Sequence, residues 1–371
     1  VVSGDAAAEL TITYKPNANP NFVRVIYMTG SSGETDFQSP IEGDKLDWRG
    51  KLDTAMKLMQ TMTAERMNDL GYGRCTFNIE LDESGNVVVH EMKGRLTTEE
   101  YYALPDGEWW QRVYREVSQN FEMRGTRNLV IPSYTRFNPE TKKTDGHTAL
   151  GGGALALFGS GNLFTWPDSI EKARGAMLDT TPIDTERFMS DSIGRDCHWG
   201  AASTTMGAAL HELGHTFGLP HTNHPHDIMT RGFDRFNRVF TLYDAPTRRQ
   251  KAIREFKDDE VAMFAPISAA ALAVNPWFAD EDPAKRDRGK IKVCCDEENK
   301  TVTATSAQGV AYLSASGGGD AKFYKAPAPG EKEMPGELTA TMEEIRKAIP
   351  EGDVRIKAIN TNGETAELTV K

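Results

Sequence analysis

One run of residues, His211-Glu212-Leu213-Gly214-His215-Thr216-Phe217-Gly218-Leu219-Pro220-His221, constrains this chain more than any other segment. Small and apolar residues lead into it, and the pattern predicts a helix from about Ser203 to Phe217. Residues four apart share one face of a helix, so His211 and His215 project side by side and two imidazole nitrogens can reach one ion. Gly218 can take a positive φ angle and stop the helix. The turn that follows brings His221 back as a third ligand. Three neutral imidazoles leave the fourth position of a tetrahedral Zn2+ open to water, which marks a catalytic rather than a structural site. The sequence therefore predicts one Zn2+ on His211, His215 and His221.

Glu212 is next to the first ligand but is not placed to join the set. Its position suits contact with the water. Zinc lowers the pKa of that water towards ~7. Glu212 can then take the proton as the water attacks a carbonyl, and return it to the leaving amine. The ion stabilises the oxyanion that develops. A helix with coincidental histidines is the bland alternative, and a chance match to the whole pattern is rare.

The string HELGHTFGLPH resembles the extended zinc signature of the metzincin clan of metalloendopeptidases. That clan also has a methionine in a tight turn beneath the zinc. Asp227-Ile228-Met229-Thr230 supplies the candidate, at a spacing from His221 similar to that of the matrixins. The chain departs from matrixins in having no cysteine-switch motif and no histidine-rich structural zinc loop. Arg231 stands where astacins place an extra tyrosine ligand. The stretch Asp227 to Arg238, with the Gly151 to Phe158 segment, is more similar to a family of fungal and bacterial metallopeptidases. The overall layout resembles the O-glycan-directed endopeptidases of mucin-degrading bacteria.

These resemblances imply an α/β (α+β) metzincin-like catalytic domain. It would have a twisted mixed sheet, the active-site helix and a cleft under a Gly-bounded edge strand. They also imply a protein or glycoprotein substrate, including O-glycosylated mucin-type proteins, and a secreted, periplasmic or cell-surface location. The chain begins at Val1 with no initiator Met, which fits that location.

The rest of the chain is consistent with this plan. Residues 1–20 are polar and rich in Pro and Asn, and are expected to form a loose arm. Phe22 to Met28 reads as a core strand. From Asp47 to Leu70 apolar residues, many of them Met, recur at helical spacing until Gly71. Strands are expected at Cys75 to Leu81 and Val87 to Met92, then a helix from Trp109 to Met123 and a strand from Arg127 to Ser133. This order suggests a mixed sheet covered by helices over residues 21–280. Gly151 to Gly161 fits no nucleotide fingerprint. It reads as a Gly-bounded edge strand, or as a loop without function. An edge there would accept an extended peptide as an added strand, which makes Gly153, Ala154, Leu155, Ala156 and Leu157 candidate substrate contacts. A charged linker follows Phe278. Short alternating strands at 291–293, 302–305, 311–315, 354–359 and 366–370 then predict a small all-β sandwich over 288–371, with Asn362-Gly363 as a hairpin turn.

The net charge of −11 disfavours nucleic acid or an anionic membrane as the main partner, and no apolar run is long enough to span a bilayer. The four cysteines are read as free thiols with at most one bridge. His198 reads as a buried polar residue, with a place in the cleft as the alternative. His224 and His226 read as solvent-facing loop residues, with a minor metal site as the alternative. Arg231 and Asp234 are expected to form an ion pair, and Trp109, Trp110 and Trp166 to pack in the core. Two other functions remain open at this point. One is a zinc-containing module that binds glycoprotein without cutting it, against which Glu212 argues. The other is a zinc amidase or deacylase acting on a non-peptide substrate.

Overall fold

The computed structural model describes residues 17–44, 47–105, 107–328, 331 and 334–371. Most of the expected loose arm lies outside the described residues. Its last residues are tied down: Asn19 is buried and its side-chain amide donates to the Pro276 and Ala279 carbonyls at 2.7 and 2.9 Å.

The chain enters through β1 (Phe22–Thr29), the long helix α1 (Trp48–Asp69) and β2 (Val89–Lys93). Two helices, α2 (Thr98–Tyr102) and α3 (Glu108–Asn120), lead to β3 (Thr126–Pro132). A short hairpin of β4 (Arg136–Asn138) and β5 (Lys143–Asp145) precedes β6 (Ala149–Gly152) and β7 (Leu155–Phe158). The main sheet has the order β2-β1-β3-β7-β6, parallel except for β6. Side chains alternate across it, as a strand's period of two requires. Val23, Val25, Tyr27, Leu129, Ile131, Ala156 and Phe158 face α1 on one side. Ile26, Met28, Val130, Leu155 and Leu157 face α2 and α3 on the other. The parallel strands are thus buried on both faces, which explains why they read as continuous apolar runs.

Two expectations for this sheet need correction. Cys75 to Leu81 is not a strand: it makes only isolated bridges, Val23 with Ile79 and Leu81 with Val87. The segment from Gly151 is not one edge strand. It is a hairpin turning at Gly153-Ala154, so the edge is β6 and Leu155 to Leu157 lie one strand further in.

After α4 (Ile170–Ala176) comes α5 (His198–Thr216), packed on the α1 side of the sheet. It starts five residues earlier than expected. Ser203, Thr204 and Thr205 look like a capping cluster, but Ser203 bonds Asp234 and Asn237, Thr204 bonds Asp234, and Thr205 bonds the Ala201 carbonyl in its own helix. Beyond it lie the two-residue strands β8 (Tyr243–Asp244) and β9 (Arg254–Glu255), then α6 (Pro266–Ala273).

The C-terminal part is two facing antiparallel sheets. One holds β10 (Ile291–Asp296), β11 (Thr301–Ser306) and, later in the chain, β14 (Glu337–Thr341). The other runs from β13 (Ala321–Lys325) through β12 (Val310–Ser316) and β15 (Val354–Asn360) to β16 (Thr365–Val370). A helix that the sequence reading missed, α7 (Met342–Ala348), caps the space between them, with a Thr341–Glu344 capping box at its start. Val302, Leu313, Ile345 and Ile356 are fully buried in a core of their own. A small seam of Ala270, Val274, Ala311 and Tyr312 joins the sandwich to α6. All four cysteines are free.

Because this core is separate, Leu313→Ala is expected to destabilise the sandwich by about 2–5 kcal/mol. Calorimetry should show a lower melting transition for the sandwich, with the transition of the larger unit shifted less. A single transition moving as a whole would mean that residues 288–371 are not an independent unit.

Candidate active site

Helix α5 delivers the first two histidines and its C-terminus delivers the third. Phe217 caps the helix and Gly218 has φ +83°. The Gly218 N–H donates to the His215 carbonyl at 3.0 Å, and the Leu219 N–H to the Gly214 carbonyl at 3.1 Å. This is the two-bond pattern of a Schellman turn, with Leu213 and Leu219 packed in the same core. The reversal places the Nε2 atoms of His211, His215 and His221 at 3.1, 3.1 and 3.3 Å from one another.

That spacing tests the donor set. Nitrogens 2.0–2.1 Å from a tetrahedral zinc stand about 3.3 Å apart, so the three atoms already have the right separation. The far ring nitrogens are occupied elsewhere. His211 Nδ1 bonds the Ile228 carbonyl at 2.7 Å and His215 Nδ1 bonds the Leu219 carbonyl at 2.9 Å. These bonds fix the tautomer that presents Nε2 to a metal. Burial pushes His211 down to about 4 and also lowers His215, so both rings are neutral and competent as ligands. His221 is more exposed, and its Nδ1 lies 3.7 Å from a carboxylate oxygen of Asp320. Asp320 sits in the β12–β13 turn of the sandwich. No spacing rule in the sequence pointed to it, because the contact spans two parts of the fold. Among the described residues, no other group of three His, Cys, Asp or Glu side chains converges in this way.

Met229 lies beneath the site, fully buried, with Gly214 above it. A Cβ on Gly214 would stand 2.4 Å from the Met229 sulfur, so a larger residue there would displace the Met229 side chain. The turn is built on Asp227, whose role the sequence reading missed. Asp227 is fully buried, and its carboxylate accepts from Thr222 Oγ1 at 2.7 Å, the Met229 N–H at 3.1 Å and Ser268 Oγ at 3.1 Å. Phe233 meets the His211 ring edge-on at 5.4 Å.

Glu212 is 6% exposed and projects beside the ligands, not among them. Burial pushes its carboxyl up to about 7, opposed by a hydrogen bond from the Gly151 N–H. The edge strand β6 therefore crosses directly over α5. A Cβ on Gly151 would stand 2.1 Å from the Glu212 carbonyl oxygen, which is why this position is glycine.

The remaining candidates divide. Gly153 and Ala154 form the hairpin turn. Leu155, Ala156 and Leu157 are fully buried in β7, hydrogen-bonded to β3 and β6, and do not reach the cleft. The accessible edge is Ala149–Gly152, where Leu150 is 44% exposed. His198 begins α5 and bonds Asp179 at 3.1 Å. Thirteen residues of helix separate it from His211, about 20 Å at 1.5 Å each, so it is the buried polar residue and not a cleft residue. His224 and His226 stay in the loop after His221, their ring centroids 5.9 Å apart. Arg231 and Asp234 form the expected pair, with contacts of 2.9 and 3.1 Å. Trp166 is buried and donates to Thr205.

Comparison with known proteins adds an independent observation. A family described as "Putative peptidase family" matches residues 3–317. A "Putative zinc metalloproteinase" of Schizosaccharomyces pombe is 26% identical over 385 residues, covering 97% of this chain and 62% of that protein. Another of that description, from Saccharomyces cerevisiae, is 36% identical over 104 residues, 27% of this chain and 15% of its own length. The chain thus spans less than two thirds of either relative. Among solved structures, wild type OgpA from Akkermansia muciniphila is similar over 98% of this chain and 96% of its own, with a TM-score of 0.58 and 16% identity. Catalytic inactive OgpA in complex with an O-glycopeptide substrate is similar over 100% and 97%, with a TM-score of 0.56 and 14% identity. At these identities the likeness establishes a shared fold.

Elemental analysis is expected to find one zinc per chain, lost in His215→Ala. Asp320→Ala should weaken zinc binding about tenfold if the carboxylate orients His221, as read by competition with a chelator. Unchanged affinity would remove Asp320 from the ligand's support.

Proposed function

The chain belongs to this peptidase family, and from that premise we propose that it is a zinc-dependent endopeptidase that cuts extended, O-glycosylated polypeptide. The observation that carries the reading is the convergence of three Nε2 atoms within 3.3 Å beside a buried carboxylate that is not one of them. A closed structural site has no use for that carboxylate.

When bound, zinc supplies Lewis acidity, polarising the scissile carbonyl and making water a nucleophile at neutral pH. The chain's own groups do the rest. His211 and His215 stay neutral because they are buried, and their carbonyl partners hold the rings in place. Glu212, held near 7 by burial, can accept a proton from the attacking water and return it to the leaving amine. The Gly151 N–H steadies its carboxylate. The unpaired side of β6 offers backbone groups to an extended substrate, which would lie antiparallel or parallel as an added strand.

The glycosylated substrate is supported by the fold shared with OgpA over at least 96% of each chain. A recess of about 240 Å³ with a mixed polar and apolar lining gives a substituent room beside the turn that leads to His221. It lies between Gly218 and Pro220 on one side and Ser314, Ser316 and Arg355 of the sandwich on the other. Such a substrate places the enzyme's work outside the cytosol. No helix among the described residues is long and apolar enough to cross a membrane.

Mass-spectrometric cleavage profiling on a mucin-type glycoprotein tests the reading. Glu212→Ala should lower kcat by about 10²–10⁴ while zinc content stays at one per chain. Enzymatic removal of the glycans should reduce cleavage. Tight binding with no product in the wild type would favour the binding-module reading instead. Equal cutting of the deglycosylated protein would keep the peptidase and reject the glycan.

A further inference from the structure

Behind the Met229 turn is a pocket of about 680 Å³. Six arginines line it: Arg195, Arg231, Arg235, Arg238, Arg249 and Arg254. Glu260, outside the lining, pairs with Arg254 and lies 4.0 Å from Arg238, and within the lining two carboxylates, Asp234 and Asp244, oppose the arginines. This excess of positive charge stands in a chain of net charge −11.

Both carboxylates are already engaged. Asp234 takes Arg231 at 2.9 and 3.1 Å and the Thr204 hydroxyl at 3.1 Å. Asp244 takes Arg238 at 2.7 and 3.1 Å, Asn237 at 3.0 Å and Arg254 at 3.5 Å. The other three guanidinium groups have no carboxylate partner among the described residues. Arg195 donates to the Ser192 carbonyl at 3.0 Å and Thr204 Oγ1 at 2.6 Å, and stacks on Trp199 at 4.7 Å. Arg235 touches only the Pro225 carbonyl and His226. Arg249 lies exposed over Gly194. Asp191 feels Arg231 and Arg195 but does not line the pocket. Burial draws Arg195 down to about 10, so it remains a cation at neutral pH. Asp234 and Asp244 act on Arg195, and Glu260 and Asp234 on Arg235, only through space, so a bound anion would add the charge-assisted hydrogen bonds that these guanidinium groups lack.

The pocket adjoins the metal site. Thr230 and Arg231 follow Met229 directly. The Arg231 guanidinium lies 4.8 Å from the Phe233 ring centroid, and that ring is 5.4 Å from His211. One aromatic layer separates the basic pocket from a metal ligand. Its volume is that of a pocket for an organic group rather than for a lone ion.

We propose that this pocket is an anion subsite, seating a carboxylate or sulfate carried by the substrate. The proposal rests on the endopeptidase reading above. Arginine forks suit such groups because they can donate two parallel hydrogen bonds. The anion can come from an acidic sugar or from an acidic side chain of the peptide, and the test separates the two.

Zinc-loaded Glu212→Ala protein is titrated calorimetrically with two pairs of peptides. One pair is a sialylated mucin-type O-glycopeptide and its desialylated twin. The other is an unglycosylated peptide with Asp residues flanking a central Ser and its Asn twin. At least one acidic member should bind about tenfold more tightly than its neutral twin, as a charge-assisted contact allows. The pair that shows the preference identifies the source. Arg249→Gln alone should reduce the preference, and Arg235→Gln with Arg249→Gln should abolish it. Affinity for the neutral twins and the melting temperature should be unchanged. Equal affinity within both pairs, or a preference that survives the double substitution, would overturn the subsite. Because binding is read without cleavage, the two ideas fail separately. Acid preference in a protein that cuts nothing would reject the peptidase reading and keep the subsite. Cleavage without acid preference would do the reverse.

Discussion

Helix α5 has every residue buried except His215, and the rest of the site depends on that burial. Three of its close contacts bear on the site. The edge strand β6 crosses Glu212 with a glycine, Gly151, the methionine turn meets the helix at Gly214, and Phe233 backs onto Gly207 and packs its ring against His211. Each contact places one functional part: the N–H that faces Glu212, the floor beneath the ligands and the ring beside the first imidazole. The same burial keeps His211 neutral and lifts Glu212 towards neutrality. Desolvation by one packed helix therefore tunes the proposed ligand and the proposed base together.

The helix also has to end in a defined way. Gly218 in the left-handed conformation and the two bonds after it turn the chain within a few residues, so His221 meets His211 and His215. Other residues strain at that φ angle. The histidine triad is thus set by local backbone chemistry, and this is why it was legible. Positions 211, 215, 218 and 221 carry their geometry in their spacing.

Other features were legible only in part, for identifiable reasons. The runs Phe22–Thr29 and Thr126–Pro132 read as strands because parallel strands buried on both faces are continuously apolar. The Gly151 to Phe158 segment reads as one strand because its three opening glycines look like the end of a strand, while only Gly153, at φ +53°, makes the tight hairpin turn. Hence the sequence puts the edge on Gly151 to Phe158, whereas it is Ala149–Gly152. The start of α5 was hidden because Ser203 and Thr204 use their hydroxyls on a neighbouring segment, where a cap would have used them locally. Asp227, Asp320 and the arginine pocket were missed because they are tertiary. Asp227 meets Ser268, and Asp320 meets His221, across long stretches of chain. The arginines gather from residues 195 to 254, and linear charge runs do not reveal that.

The sandwich is more than an appendage in this arrangement. Its β12–β13 turn stands next to His221, and its strands form one wall of the recess that Gly218 and Pro220 line on the other side. The central claim is that the metal site is open, with three histidines and a neighbouring base. X-ray absorption at the zinc edge on the zinc-loaded protein tests this most directly. The account predicts three imidazole nitrogens and one light oxygen scatterer from solvent, all at about 2.0–2.1 Å. A fourth protein ligand closing the shell, or a zinc that persists unchanged in His215→Ala, would contradict it.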